Sequence, residues 1–401
     1  MPQDGDEAPM SNGADIRQAA AQPGVIATLT MNPSIDQHIF IDRLVKEDAI
    51  RARDIRRDPG GKGINVSRVL KELGAPTVAF GICGGGGGYM VKSLLHERGI
   101  PFQSIEVAEE TRINFILTDR SDRTQTRISA PGPWVSLEEA DRVVELLMSL
   151  EPPPAWWALG GSLPRGIPTD FYARVVRALA ARRARCFIDA DDEVLKIGIE
   201  AKPYGIKPND YELARLVGRE LHGDAEIFDA AREVVACGVT VVAVTLGADG
   251  ALVVTEDEAV RARVPQVEVL SKVGAGDSFL AGLILGLSRG DSLEHATRFA
   301  SAAGTAAVMF EGTHLCRRDD VSRLEPQVAI EIMQAAAKCG RSNPAALVHD
   351  VVCGGAFDPE LVSFSASHAG HAYRFCSLLC QTKFLEAPSQ YVDAPSSADA
   401  D

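Results

Sequence analysis

Short apolar runs alternate with longer amphipathic stretches in the first third of the chain. Val25–Thr30 predicts a buried strand, and the alternating polar and apolar positions of Ile35–Ile55 predict strands of a half-exposed sheet. Ile64–Leu73 has the spacing of an amphipathic helix, and Thr77–Cys83 is strand-like. Thr111–Ser129 predicts a hairpin with a polar turn. This part of the chain therefore predicts a mixture of helices and strands.

From Trp156 onward, strand-like and helix-like runs follow each other in turn. The runs are Trp156–Leu159, Thr169–Ala180, Ala184–Asp189, Tyr204–Lys207, Ala225–Ala236 and Val239–Thr245. This rhythm predicts βαβ units and a parallel sheet covered by helices on both faces. Val264–Leu270 predicts one more strand, and Ser292–Val308 predicts a helix rich in small residues.

The pattern changes near Val321. Gln327–Lys338 predicts a helix, and a segment with cysteines and aromatic residues follows at 349–391. The five consecutive glycines at Gly84–Gly88 predict a loop, because a glycine run is unfavourable inside a helix. We expect a disordered arm at 1–22, a main domain at 23–328, a linker at 329–345, a small domain at 346–393 and a disordered tail at 394–401.

Composition narrows the classes of function. The chain has 401 residues, 46% of them hydrophobic, and a net charge of −14 that argues against broad nucleic-acid or membrane binding. No apolar run is long enough to span a bilayer. Eight cysteines without the features of a secretion signal indicate a reducing, cytoplasmic location. Local Arg and Lys side chains can still form a pocket for an anionic small molecule.

The turn Val273–Phe279 carries the clearest chemistry. Its small residues precede the apolar run 280–287, so they predict a turn that opens a helix. Backbone N–H groups at a helix start are unpaired and bind anions, and Asp277 in this turn can accept a proton from a hydroxyl. The two features together suit phosphoryl transfer to an alcohol. As a bare pattern, the turn also fits a structural N-cap aspartate.

Four further motifs lie where predicted strands end or helices begin. Asn32–Asp36 follows the first strand, and Pro59–Asn65 is a glycine-rich turn before a helix. Gly160–Pro164 and Lys207–Glu212 each end a strand. Because ligands bind at the carboxyl ends of strands in an open parallel sheet, we expect these motifs to converge.

With these motifs in place, residues from about Val25 to Leu324 resemble a ribokinase-like carbohydrate kinase of the pfkB family. Within it they resemble the hexose-phosphate branch, which includes 6-phosphofructokinase, 1-phosphofructokinase and tagatose-6-phosphate kinase. Pro59–Asn65 and Val273–Ser278 match the two signature regions. The resemblance implies an α/β fold, namely a Rossmann-like ribokinase core with a small β-sheet lid near Ile35–Ile55 and Thr111–Ser129.

The resemblance also implies roles for individual residues. Asp277 would be the catalytic base, and the amides of Gly274, Ala275 and Gly276 would hold the charge of the transferring phosphoryl group. The residues expected to position the sugar are Asp36, Gly60, Gly61, Lys62, Asn65 and Ser162. Those expected to meet the phosphate of the substrate are Arg112 and Arg51.

The cofactors implied are ATP and Mg²⁺. The residues tied to Mg²⁺ and the ATP phosphates are Lys207, Asn209 and Glu212, and those lining the nucleotide site are Thr245, Gly247 and Gly250. The expected partners are a sugar phosphate, ATP and a second copy of the chain paired through the lid. The alternative interpretations are solvated charges for the two arginines, a turn cap for Asp36 and a helix-surface carboxylate for Glu212.

Two segments bear on the substrate. Gly84–Gly88 departs from the family, in which many members carry an acidic or polar residue there, so a sugar contact is in question. Glu311–Cys316 looks closer to the 6-phosphofructokinases, which favours fructose 6-phosphate. Fructose 1-phosphate and tagatose 6-phosphate are alternatives, and so is an unphosphorylated sugar or nucleoside. From another class, the chain fits a metal-responsive protein that only binds a sugar phosphate.

The cysteines near the end form a second constellation. Cys376 and Cys380 are four residues apart, which would put both thiols on one helix face, and Cys353 lies in a glycine-rich turn. Three thiolates suit Zn²⁺ or another soft transition metal. The segment resembles a YHS domain of the TRASH-like metal-binding group, although Gly355 replaces a usual Met and His368 a usual Tyr. The candidates for a fourth ligand are His368, His371 and His349; three structural cysteines without metal are the alternative.

Overall fold

The computed structural model describes residues 13–122, 124–334, 348–352, 354, 356–357, 364–375 and 378–392. Within this described part, one sheet has ten strands, one has four, and two have two strands each. The strands up to residue 334 are β1 (Ile26–Thr30), β2 (Ser34–Ile41), β3 (Asp54–Gly60), β4 (Thr77–Cys83), β5 (Phe102–Glu106), β6 (Arg112–Asp119), β7 (Thr124–Ile128), β8 (Trp156–Gly160), β9 (Arg185–Asp189), β10 (Gly205–Ile206), β11 (Val241–Thr245), β12 (Ala251–Val254), β13 (Glu258–Arg263) and β14 (Ala329–Gln334).

Helices separate most of these strands. They are α1 (Gly13–Ala20), α2 (Lys62–Glu72), α3 (Gly85–Glu97), α4 (Leu137–Met148), α5 (Phe171–Ala180), α6 (Asp192–Ile199), α7 (Asp210–Val217), α8 (Gly223–Ala236), α9 (Ala275–Arg289), α10 (Leu293–Ala307) and α11 (Arg318–Leu324). None of the helices in the described ranges is both long and apolar enough to cross a membrane.

The ten-stranded sheet is the parallel sheet that the sequence predicts, with an antiparallel extension. Its order is β14-β13-β12-β11-β10-β9-β8-β1-β4-β5, and the pairs from β11 to β5 are parallel. Successive side chains of β1 enter different cores: Ala27 and Leu29 pack on one face, and Ile26 packs on the other. Helices cover both faces, so the carboxyl ends of the parallel strands remain as the edge where the predicted motifs meet.

The four-stranded sheet is the predicted lid. Its order is β3-β2-β6-β7, with β2 and β6 parallel and both outer pairs antiparallel. Asp36 lies opposite Asp58 and Asn114, so these polar residues share one face. Phe115 and Ile128 lie opposite each other on the other face, and both are exposed.

The predicted loop at Gly84–Gly88 is wrong, because these glycines cap and begin α3. Their amides find side-chain acceptors: Gly84 N–H donates to Thr111 Oγ1 at 2.9 Å, and Gly87 N–H donates to Glu110 Oε1 at 2.8 Å. A Cβ added to Gly87 would lie 2.4 Å from the carbonyl oxygen of Thr111. The close approach of this backbone requires glycine, and that requirement outweighs the low helix propensity of the run.

Predictions for three other segments also differ. Val264–Leu270 is irregular rather than a strand; Pro265 in it has no N–H for a ladder. Residues Gly13–Ala20 of the predicted disordered arm form α1, since Ile16 and two alanines of this segment are buried in the core. The predicted helix at Gln327–Lys338 and linker at 329–345 are corrected at Ala329–Gln334, which pairs with the open edge of β13 as β14. Residues 335–347 lie outside the described part.

The C-terminal segment has short elements of its own: β15 (Val348–His349), β16 (Ala356–Phe357), β17 (Ser365–His368), β18 (His371–Arg374) and α12 (Leu378–Glu386). Phe375, Cys380 and Phe384 form a small buried cluster, and the ring of His368 meets that of Phe384 edge-on at 6.0 Å. Cys353 and Cys376 lie outside the described residues. Among those that are described, no group of three or more His, Cys, Asp or Glu side chains could hold a metal ion.

Candidate active site

The turn before α9 has the backbone geometry that the sequence predicts for an anion-binding helix start. Gly274 precedes the helix in a left-handed conformation with φ 78°, and a Cβ there would lie 2.4 Å from Leu315 Cδ2. The left-handed φ favours glycine at this position, whereas the tip of the Leu315 side chain could move aside. The amides of Ala275 and Gly276 belong to the first turn, where backbone N–H groups have no intrahelical acceptor. They therefore offer hydrogen bonds and a positive dipole end to an anion.

Asp277 lies in this first turn and is buried, with 8% of its surface exposed. Asn65 Nδ2 donates to Asp277 Oδ2 at 2.8 Å. Burial, and then the negative charge of Asp189, raise the pKa of Asp277 to about 6, while the Asn65 hydrogen bond, Lys62 and Lys207 oppose the rise. The carboxylate is therefore ionised at neutral pH and basic enough to accept a proton.

Asp189, at the end of β9, joins two lysines beside Asp277. Its Oδ1 lies 2.9 Å from Lys62 Nζ, and its Oδ2 lies 3.1 Å from Lys207 Nζ. Burial opposes ionisation of Asp189, but Lys207 and Lys62 hold its pKa below the usual value. Lys207 Nζ also lies 3.3 Å from the point that a Cβ of Gly276 would occupy. Its positive charge is thus placed at the start of α9.

The lid supplies a polar cluster around Asp36. Ser34 Oγ donates to Asp36 Oδ1 at 2.9 Å, and Asn114 Nδ2 donates to the same oxygen at 2.8 Å. A Cβ on Gly60 would lie 2.7 Å from Asp36 Cγ, so the glycine turn passes directly against this carboxylate. Asn114 lies on β6, two residues after the predicted site residue Arg112, but is not itself among the predicted site residues.

The glycine-rich turns lie beside this cluster. Gly61, with φ 118°, immediately precedes α2, whose first residue is Lys62. Asn32 Nδ2 donates to Ser162 Oγ at 3.2 Å, which joins the turn after β1 to the turn after β8. The predicted sugar-binding residues on these turns therefore come together with Lys62 at one edge of the main sheet.

The two predicted phosphate-binding arginines differ in placement. Arg112 is half-buried and donates to the carbonyl oxygens of Asn32 at 2.9 Å and Ala130 at 3.2 Å. Its Nε is buried and finds no hydrogen-bond partner among the described residues. Burial, with a contribution from the nearby positive charge of Arg127, lowers the pKa of Arg112. Arg51 is exposed between β2 and β3, and the described hydrogen bonds and ion pairs do not join it to the site.

Asn209 and Glu212 form a capping box at the start of α7. Glu212 N–H donates to Asn209 Oδ1, and Asn209 N–H donates to Glu212 Oε2, both at 2.8 Å. Burial raises the pKa of Glu212, against the effects of the Asn209 amide, Lys207 and Lys62. Both residues thus cap the start of α7, and Glu212 is also close enough to Lys207 and Lys62 for their positive charges to lower its pKa.

The predicted nucleotide-binding residues follow β11. Thr245 N–H donates to the carbonyl oxygen of Pro208 at 3.0 Å, which places the end of β11 beside the start of α7. Gly247 has φ 59° and open space above its Cα. Gly250 has φ 96°, and a Cβ there would lie 2.1 Å from the carbonyl oxygen of Ala262. The backbone here is therefore left uncovered at one glycine and tightly packed at the other.

The segment 311–316 contacts the lid through a buried chain of hydrogen bonds. Thr313 Oγ1 donates to Asp58 Oδ2 at 2.8 Å and lies 3.1 Å from His38 Nε2. Because the hydroxyl has one hydrogen and the carboxylate can only accept, His38 Nε2 is the donor in its pair. Burial, and then Arg56, lower the pKa of His38 to about 4, so this ring is neutral at physiological pH.

Sequence and structure comparisons identify relatives of this chain. The model of the pfkB family carbohydrate kinases matches residues 29–320. The chain is 35% identical to ATP-dependent 6-phosphofructokinase isozyme 2 of Mycobacterium tuberculosis over 74% of its own length and 88% of that protein. It is 33% identical to 1-phosphofructokinase of Bacillus subtilis, over 76% and 99% of the two chains.

Among solved structures, the tetrameric inhibited form of phosphofructokinase-2 from Escherichia coli superposes with a TM-score of 0.71. The two chains are 32% identical, and the match covers 75% of this chain and 98% of the other. The family match ends before the cysteine-bearing segment. The chain belongs to the pfkB family of carbohydrate kinases.

Proposed function

We propose that the protein transfers the γ-phosphoryl group of ATP to a hexose phosphate, and that fructose 6-phosphate, converted to fructose 1,6-bisphosphate, is the substrate. The observation that carries the proposal is Asp277, a buried carboxylate at the start of α9 with its pKa raised to about 6. A base and an anion-binding helix start are side by side, as transfer of a phosphoryl group to a hydroxyl requires.

In the proposed reaction, a substrate hydroxyl oxygen forms a bond to the γ-phosphorus as its proton passes to Asp277. The bond between the γ-phosphorus and the β–γ bridging oxygen breaks, and ADP leaves with that electron pair. The amides of Gly274, Ala275 and Gly276 donate to the oxygens of the transferring group. Lys207, which lies next to Gly276, adds a positive charge where negative charge develops.

The residues on the nucleotide side fit Mg²⁺ together with ATP. Glu212 is a half-buried carboxylate that uses Oε2 in its capping box, and burial raises its pKa; a nearby cation would oppose that rise and favour the ionised form. Carboxylate oxygens are ligands that Mg²⁺ prefers, so Glu212 and the neighbouring Asn209 would hold the ion and its bound phosphates. The metal would neutralise phosphate charge. Thr245, Gly247 and Gly250 would line the nucleotide site.

On the acceptor side, Asp36 would accept hydrogen bonds from sugar hydroxyls, with Asn114 and Ser34 holding it in place. Gly60, Gly61, Lys62, Asn65 and Ser162 would complete the pocket. The guanidinium of Arg112, a half-buried residue, would bind the phosphate already on the sugar, and Arg127 would add its charge. Arg51 would contribute only after a movement of its exposed segment.

The choice of fructose 6-phosphate rests on two features. The segment 311–316 resembles that of 6-phosphofructokinases and contacts the lid through Thr313. One of the relatives is an ATP-dependent 6-phosphofructokinase. Fructose 1-phosphate is the first alternative, because another relative is a 1-phosphofructokinase; tagatose 6-phosphate is the second.

The test is ATP consumption by the purified protein with fructose 6-phosphate, fructose 1-phosphate, tagatose 6-phosphate and fructose. We expect the highest kcat/KM with fructose 6-phosphate, and a loss of about 10²-fold or more in kcat for Asp277→Asn. Asp141→Asn, an exposed aspartate on α4, is the control that should keep activity. Near-normal turnover of Asp277→Asn would refute the mechanism, and preference for another sugar phosphate would refute only the substrate.

A protein that binds sugar phosphate without phosphorylating it is the alternative from another class. The buried base argues against it, because binding alone needs no group of that basicity. Sugar-phosphate binding that depends on metal at the C-terminal segment, without ATP consumption under any substrate, would favour that alternative.

We further propose that two copies of the chain pair through the outer face of the lid. Ile55, Phe115 and Ile128 on that face are between 41% and 61% exposed, and exposed apolar patches mark interaction surfaces. Phe115→Glu should turn a dimer into a monomer in analytical ultracentrifugation. The control is Ile332→Glu on β14, which is 56% exposed on the other sheet. An unchanged dimer in Phe115→Glu would exclude this interface.

For the C-terminal segment we propose a small metal-binding domain at 346–393 that holds Zn²⁺ or another soft metal through Cys353, Cys376 and Cys380. Cys380 is buried on α12 within an aromatic cluster, and His368 is the candidate fourth ligand. Mass spectrometry of the native protein should find about one metal ion per chain. Cys380→Ser should lose the ion, whereas Cys237→Ser on the kinase core should keep it; a metal-free wild type would refute the proposal.

A further inference from the structure

One arginine on α2 joins the proposed base to the lid. Arg68 lies one helical turn after Asn65, and its side chain is 10% exposed. Its Nη1 donates to Asn65 Oδ1 at 3.0 Å and to the carbonyl oxygen of Pro59 at 3.1 Å. Its Nη2 donates to Asp58 Oδ1 and to the carbonyl oxygen of Thr313, both at 3.3 Å. The guanidinium therefore contacts α2, β3 and the segment before α11 at once.

These contacts fix the orientation of the Asn65 amide. A guanidinium has donors only, so the side of Asn65 that faces Arg68 must be its oxygen. The amide nitrogen then faces the base, and it donates to Asp277 Oδ2 at 2.8 Å. If the amide turned over, its oxygen would face the carboxylate and repel it.

We propose that Arg68 is a positioning residue of the kinase reaction. It holds the Asn65 amide so that one oxygen of Asp277 is fixed and the other is left to accept the proton of the substrate hydroxyl. The inference rests on the proposed role of Asp277 as the base. Arg68 itself acts through Asn65, and its task is geometric rather than chemical.

The same guanidinium makes this geometry depend on the lid. Asp58 on β3 is the acidic partner of Arg68, and it also pairs with Arg98 at 2.8 Å and Arg56 at 3.3 Å. Burial opposes the ionisation of Asp58, but Arg68, the Thr313 hydroxyl and the other two arginines keep its pKa low. Arg68 is thus held by Asp58 on a lid strand and in turn orients the side-chain amide of Asn65.

The sign of the effect on Asp277 follows from its neighbours. The charged groups that act on it are Asp189, Lys62, Lys207 and Arg68. The Asn65 hydrogen bond stabilises the ionised carboxylate, so losing it raises the pKa of Asp277. Loss of the positive charge of Arg68 acts in the same direction. The acidic limb of the pH–rate profile should therefore move to higher pH when Arg68 is replaced.

The test compares Arg68→Met, Arg68→Lys and the matched control Arg98→Met in steady-state kinetics over pH 5 to 9. Arg98 donates to the same Asp58 oxygen but makes no hydrogen bond to Asn65. Arg98→Met therefore removes an ion pair with Asp58 while Arg68 still holds the Asn65 amide. For Arg68→Met we expect kcat to fall about 10- to 100-fold. The acidic limb should move up by about one pH unit, while KM for the sugar phosphate changes less than about threefold.

Arg68→Lys keeps the positive charge, but its single ammonium cannot donate to Asn65 and Asp58 at the same time. The acidic limb of its pH–rate profile should therefore lie between those of wild type and Arg68→Met. Arg98→Met should keep the wild-type limb. In an Asn65→Ala background, Arg68→Met should add little further loss in kcat, because the two residues act in series.

The inference would be overturned if the acidic limb of the pH–rate profile stays in place in both Arg68→Lys and Arg68→Met. It would also be overturned if the losses in kcat from Arg68→Met and Asn65→Ala are additive. If Arg68→Met does not fold, Arg68→Lys decides the question alone. Asp277→Asn separates the role of the base from the role of Arg68. If Asp277→Asn is inactive but the Arg68 variants keep the wild-type acidic limb of the pH–rate profile, the proposed base stands and only the positioning role is refuted.

Discussion

Replacing Asp277 by Asn should make the protein more stable at neutral pH. The pKa of Asp277 is raised from 3.8 to about 6 in the folded state, mainly by burial. Folding therefore disfavours its ionised form, and one pKa unit corresponds to about 1.4 kcal/mol. The shift of about two units lowers the free energy of unfolding by about 3 kcal/mol at pH 7.5. The group is almost fully buried, so solvent screening removes little of this amount.

The pH dependence gives the sharper test. A carboxylate with a raised pKa costs stability in full above pH 6; the cost fades as the pH falls through 6 and disappears only below about 3.8, where the side chain is protonated in both states. Asp277→Asn should thus unfold at higher temperature than wild type at pH 7.5, and the difference between the two midpoints should shrink as the pH falls from 6 and vanish below about 3.8. Thermal unfolding followed by fluorescence measures this difference. An Asn variant that is less stable at pH 7.5, or a difference that does not shrink with acid, would refute the argument.

Three further results are expected. Asp189→Asn should move the acidic limb of the pH–rate profile downward, because Asp189 raises the pKa of Asp277; Asp191→Asn, which also contacts Lys62, should leave the limb in place. Gly87→Ala should lower the free energy of unfolding by about 1–3 kcal/mol in denaturant titrations, since its Cβ would lie 2.4 Å from a backbone carbonyl oxygen. Gly86→Ala, whose Cβ would approach only a flexible carboxylate at 3.4 Å, should be neutral or stabilising by up to about 1 kcal/mol.

The parallel sheet and the lid hairpin were predictable because burial shapes the sequence, as continuous apolar runs in fully buried strands and as alternation in half-exposed ones. Thr77–Cys83 is buried at every position and matches the predicted strand residue for residue. The positions of the glycine-containing motifs were also predictable, since glycine next to polar residues marks turns at strand ends. The family comparison confirms the kinase interpretation that these motifs carried.

The remainder depended on contacts that no local pattern reveals. Asp189 ends the predicted strand Ala184–Asp189, but no local pattern shows that it is buried between two lysines from distant segments. Arg68 has the spacing of a helix-surface residue, yet β3 and the segment around Thr313 both contact its guanidinium and bury it. At Gly84–Gly88, low helix propensity pointed to a loop, but the side chains of Glu110 and Thr111 accept the amides of a helix start.

Asp189 links the two halves of the proposed mechanism. By pairing with Lys62 and Lys207 it offsets the positive charge that an incoming phosphate would meet at the start of α9. The same negative charge raises the pKa of Asp277 and so increases its affinity for the substrate proton.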